Sequence, residues 1–149
     1  MTPRIILTLL TGFILIMGAA TKSSTTPVVI PNPVLAFIGQ EPFSVKGKEW
    51  IRYNYSIENA SSFPDELFKR APTLPPCGKN TGSSRTWLDF YDAAGKQIRQ
   101  VCSLGKSSDL KNISFELEKS DIPPSFVYIE LNDRETATKY KSNLAETTL

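Results

Sequence analysis

Residues 49–57 restrict the fold more than any other stretch of this chain. Ile51, Tyr53, Tyr55 and Ile57 fall on one side of an extended backbone, and Arg52, Asn54 and Ser56 fall on the other, because successive strand side chains point to opposite faces. A strand with one apolar face must bury it against a second layer. The pattern recurs. Ile113, Phe115 and Leu117 alternate with Ser114, Glu116 and Glu118, and Val127, Ile129 and Leu131 alternate with Tyr128 and Glu130. Between Arg85 and Asp92, Leu88 and Phe90 alternate with Trp87, Asp89 and Tyr91. Val34 to Ile38 is a continuous apolar run between Pro33 and Gly39, which reads as a short strand broken at Glu41-Pro42. Lys139 to Leu144 supplies a last short strand. Pro64 to Phe68 reads as one helical turn whose Leu67 and Phe68 plug an end of the core. Six or seven short strands with almost no helix predict an immunoglobulin-like or fibronectin-like antiparallel β-sandwich.

The only two cysteines bracket the central hairpin. Asp92-Ala-Ala-Gly95-Lys96 suits a type I turn closed by a glycine in the left-handed region. The return strand, residues 97–102, then places Ile98 and Cys102 inward with Leu88 and Phe90. Pro72, Pro75 and Pro76 stiffen the approach to Cys77 and remove backbone donors, which favours a loop or sheet edge there. Cys77 and Cys102 are expected to form one disulfide, because the N-terminus reads as an export signal. Arg4 provides the basic region, residues 5–17 the apolar core, and Gly18-Ala19-Ala20 a small-residue cleavage site after Ala20. The apolar run is shorter than the ~20 residues of a spanning helix, which favours a cleaved signal over the alternative of an uncleaved membrane anchor. The predicted organisation is a signal peptide (1–20), a Pro/Ser/Thr-rich tether (21–33), the sandwich domain (34–144) and a frayed tail (145–149). Within the tether, Val28-Val29-Ile30 is a candidate edge strand. The expected location is secreted or periplasmic, with no stable membrane span after signal removal.

Charge and composition narrow the functions. The 149 residues carry a formal net charge of +2. That near balance offers no electrostatic basis for binding nucleic acid. The sequence contains no histidine, which removes Ser-His-Asp and Cys-His catalysis and imidazole-based zinc sites. Carboxylate, lysine and tyrosine chemistry remains.

The run Leu74-Pro-Pro-Cys77-Gly-Lys-Asn80, with Arg85-Thr-Trp87-Leu-Asp89-Phe-Tyr91, Cys102, Asp133-Arg134 and Tyr140-Lys-Ser142-Asn143, resembles an uncharacterised family of secreted bacterial β-sandwich domains. The resemblance spans about residues 49–143 and implies a secreted, disulfide-stapled sandwich. It brings no catalytic residue with it.

Candidate sites are few. Trp87 and Tyr91 flank Asp89 on the outer face of the hairpin, an aromatic and carboxylate set suited to a sugar or a partner protein. The structural alternative has the rings covering the rim and Asp89 pairing internally. Asp89, Asp92, Glu130 and Asp133 are weak candidates for a calcium site at one end, since the Asp-x-Asp-x-Asp-Gly spacing is missing. As a glycosidase pair they have neither a cleft nor a separation readable from sequence. Asn54, Asn59 and Asn112 each open an Asn-x-Ser sequon. No cofactor is expected. The predicted function is a non-catalytic exported module that binds an extracellular or envelope protein or glycan. The alternative is a small carboxylate-dependent enzyme, or a protease inhibitor presenting the loop from Ala71 to Asn80.

Overall fold

The alternating stretch becomes β2 (Lys48–Ile57), with Tyr53, Tyr55 and Ile57 buried and Ile51 half-buried against the core. A computed structural model describes residues 29–77 and 83–147 of the chain; the predicted signal peptide lies outside them. The remaining strands are β1 (Leu35–Val45), β3 (Thr86–Asp92), β4 (Gln97–Val101), β5 (Ile113–Glu118), β6 (Phe126–Asp133), β7 (Thr138–Lys141) and β8 (Ala145–Glu146). They form two antiparallel sheets, one ordered β1-β2-β5 and the other β4-β3-β6-β7, with β8 also pairing β6. The chain is therefore a β-sandwich. Its fourth strand pairs with the third rather than joining the first sheet as it does in constant immunoglobulin domains.

The apolar faces meet as the alternation requires. Leu88, Phe90, Val127, Ile129 and Leu131 come from one sheet, and Tyr55, Ile57, Ile113 and Phe115 from the other. Phe115 is the hub, its ring centroid 5.1 Å from Tyr53, 5.8 Å from Tyr55 and 5.4 Å from Phe90. Leu67 and Phe68 lie on a 3₁₀ turn over Asp65–Phe68 and are buried in this core, as expected of a plug. The Asn143 side chain accepts from the Leu35 N–H (2.8 Å) and donates to the Leu35 carbonyl (3.0 Å), tying the start of β1 to the β7–β8 connection.

Three sequence expectations need correction. First, β1 does not end at Glu41-Pro42. It continues to Val45 with Pro42 opposite Ile51, because a proline is tolerated on an edge strand with a single neighbour. The β1–β2 turn is Lys46-Gly47, with φ of +50° and +79°, the two-residue geometry that glycine favours. Second, a bulge in β4 shifts the register. Leu88 faces Val101, Phe90 faces Arg99 and Tyr91 faces Gln97. Val101 thus takes the position expected of Cys102, which is buried just beyond the strand end. Third, the segment from residue 145 is not frayed throughout: β8 pairs β6, and Thr147 is buried with its hydroxyl donating to the Pro124 carbonyl. A 3₁₀ turn over Ser107–Lys111 buries Leu110. Of the candidate edge strand in the tether, Val29 and Ile30 adopt no strand, although Ile30 packs against the core. The Cys77–Cys102 disulfide is formed.

Candidate functional site

The register of the larger sheet decides what surrounds Trp87, Asp89 and Tyr91. All three lie on its outer face, as alternation predicts, and all three are engaged within the protein. The Trp87 indole N–H donates to the Ser84 carbonyl at 3.0 Å. The Arg134 guanidinium covers the Trp87 ring, 3.7 Å from its centroid, and donates to the Pro75 carbonyl at 3.3 Å. One arginine thus fastens the proline-rich loop over the tryptophan. Tyr91 stacks on Tyr128 at 5.2 Å, and the Lys141 ammonium sits 4.0 Å from the Tyr128 ring centroid. Of the loop offered as an inhibitor element, residues 78–80 lie outside the described residues.

Asp89 is only 5% exposed. Gln97 Nε2 and Gln100 Nε2 donate to its Oδ1 at 2.9 and 2.8 Å, and Asn132 Nδ2 donates to Oδ2 at 2.5 Å. These neutral donors do not offset burial, which raises the Asp89 pKa above the usual carboxylate value; Glu130, its cross-strand neighbour, pushes the same way. Among the described residues, Asn132 Oδ1 is itself buried without a partner. Asp89→Asn is therefore expected to fold with neutral-pH stability within about 1 kcal/mol of wild type. Turning the Asn132 amide lets its oxygen accept from the amide introduced at position 89. Because the folded-state pKa is raised, the protonated form favours the fold. Wild type should lose that stability as pH rises from the unfolded value of about 3.9 through the raised one, and the variant should lack the loss. Urea midpoints across a pH series from the acid range to neutrality check this, and a variant losing well over ~1 kcal/mol at neutral pH would make the charged hydrogen bonds dominant.

The four carboxylates considered for calcium do not converge. Asp89 and Glu130 are neighbours, and Lys139 Nζ lies 3.4 Å from Glu130. Asp92 is opposite Val127 and Asp133 is opposite Thr86, at opposite ends of the β3–β6 pair. Asp92 Oδ1 accepts the turn N–H groups of Ala94 and Lys96. Asp133 is bound through both oxygens by Arg85, at 2.8 and 2.6 Å, and also accepts from the Thr136 hydroxyl. The Arg85 bonds hold its pKa down at about 2. Among the described residues, no three His, Cys, Asp or Glu side chains are grouped to hold a metal ion.

A different surface carries polar groups that the fold leaves unused. A cavity of about 560 Å³ lies at the outer face of the smaller sheet, lined by residues of β1, β2, β4 and β5 and by the end of the last 3₁₀ turn. Arg52 faces Glu116 and Asn54 faces Ser114 across the β2–β5 pair. Arg52 is neutralised by Glu41 at 3.0 Å and Glu116 at 2.9 Å. Among the described residues, the side chains of Asn54, Ser114, Asn112 and Lys111 make no hydrogen bond or ion pair. Ile38, displaced outward at the β1 bulge, is 59% exposed beside them. Sequence reasoning met Asn54 and Asn112 only as sequons. The third sequon asparagine, Asn59, is consumed by the Val34 N–H and the Asn32 carbonyl. No protein-family model, curated protein or solved structure matches this chain, so the site rests on its own geometry.

Proposed function

We propose that this chain is an exported, non-catalytic β-sandwich module that binds an extracellular or envelope ligand in the groove of the smaller sheet. The observation that carries the reading is the contrast between two faces. Around Trp87, Asp89 and Tyr91 the indole N–H, the Asp89 carboxylate and the aromatic rings have partners within the protein. In the groove, Asn54, Lys111, Asn112 and Ser114 present side chains without an internal partner among the described residues. A concave site with a few convergent polar groups is the usual form of a ligand site. The disulfide that joins the two cysteines supports export.

The test uses the full chain secreted from its host. Its intact mass, alkylated without reduction, should begin at Thr21 and carry no alkyl group. The secreted protein is then applied to an array of purified envelope polysaccharides and peptides. Retention that is lost in Asn54→Ala/Ser114→Ala, with unchanged melting, supports the module. Retention unaffected by that pair but lost in Tyr91→Ala would move the site to the larger sheet, and release of a cleaved product would make the protein an enzyme.

A further inference from the structure

The groove also has a charge. Its three cations, Arg52, Arg99 and Lys111, face two carboxylates, Glu41 and Glu116. Both carboxylates lie within 3.0 Å of Arg52. Arg99 reaches Glu116 only at 3.9 Å and its side chain is 45% exposed. Its position follows from the register: it stands opposite Phe90 on the edge strand β4, and its guanidinium extends across to β5 of the other sheet. Lys111, exposed at the end of the 3₁₀ turn, has no ion pair among the described residues. Three cations against two carboxylates leave the groove one net positive charge, carried by Lys111 and the loosely paired Arg99, in a protein whose charge is otherwise nearly balanced.

Resting on the binding-module reading, we infer that the groove takes an acidic saccharide, its carboxylate or sulfate held between Arg99 and Lys111. The guanidinium fork matches a planar or tetrahedral oxyanion and the lysine adds a point charge. The amides of Asn54 and Asn112 and the Ser114 hydroxyl offer both donors and acceptors, which is the complement of vicinal sugar hydroxyls. Ile38 supplies an apolar wall for the carbon face of a ring. A peptide added as an extra strand would be held by main-chain hydrogen bonds at a sheet edge. The groups in this groove are instead side chains standing on a sheet face. Its volume falls within the ~300–1,000 Å³ of small-ligand sites.

Calorimetric titration of the full chain would compare four probes: oligogalacturonate, sulfated oligogalactan, neutral oligogalactan and polyglutamate. At least one acidic saccharide should bind about tenfold or more tightly than the neutral one, and the Arg99→Gln/Lys111→Gln variant should lose that preference. The two acidic saccharides separate carboxylate from sulfate as the anion. Both substituted side chains are exposed, so the melting temperature should not move. Equal binding of acidic and neutral saccharides, or a preference that survives the double substitution, would overturn this inference and leave the module reading standing. Polyglutamate binding more tightly than any saccharide would overturn it in favour of an acidic peptide. If none of the four binds, this inference falls, and the Asn54→Ala/Ser114→Ala result on the array decides the module reading separately.

Discussion

Phe115→Ala is expected to destabilise the protein by about 4 kcal/mol, within the ~3–5 kcal/mol typical of removing a buried phenylalanine. Phe115 is fully buried and lies on β5, at an edge of the smaller sheet. Its ring meets Tyr53 and Tyr55 from its own sheet and Phe90 from the other. Alanine there removes the ring that joins both layers, and β-strands on either side cannot close the gap without moving against their ladders. A domain of this size has only ~5–15 kcal/mol of net stability, so the loss should be plain in a urea melt. Trp50→Ala is the comparison. Trp50 stacks on Phe43 on the outer face, 6.5 Å between centroids, and is only half-buried, so its loss should be about 1 kcal/mol. A Phe115→Ala cost below about 2 kcal/mol would mean that the two sheets repack around the cavity.

The inward faces were legible because a period of two is a local property. Tyr53, Tyr55 and Ile57, or Val127, Ile129 and Leu131, announce a buried face without knowledge of their neighbours. What could not be read depends on register. The β4 bulge places Val101 opposite Leu88 and puts Arg99, not an apolar residue, opposite Phe90. The continuation of β1 through Pro42 follows from its being an edge strand, and strand order is not written locally. Asp89 was correctly placed on the outer face, yet its burial comes from Gln97, Gln100 and Asn132, which reach it only once three strands are aligned. The groove was less legible still. Asn54, Arg99, Lys111 and Ser114 are ordinary surface residue types scattered along more than a third of the chain. Only the sandwich brings them to one rim, and no spacing rule connects them. A period-two pattern identifies the core of such a protein far better than its ligand site.

The paired substitution Cys77→Ser/Cys102→Ser should cost about 3–4 kcal/mol, because in the chain-entropy model a cross-link of this span restricts the unfolded chain by that amount. The bond joins residues 25 apart in sequence. The folded loop has other anchors. Ala71 N–H donates to the Ser83 carbonyl, Ser84 N–H to the Cys102 carbonyl, and Arg134 to Pro75. These contacts should keep the native geometry around Trp87 when the bond is absent, so the loss arises mainly from greater freedom of the unfolded chain. The double variant should accordingly fold, with a lower urea midpoint. The tryptophan fine structure of its near-ultraviolet circular dichroism, read in a Trp50→Phe background so that it reports Trp87 packed under Arg134, should be little changed below the transition. A loss under about 1 kcal/mol would imply a denatured state already compact around the hairpin. A collapse of the Trp87 signal would mean that the disulfide, and not Arg134, holds the proline-rich loop over the larger sheet.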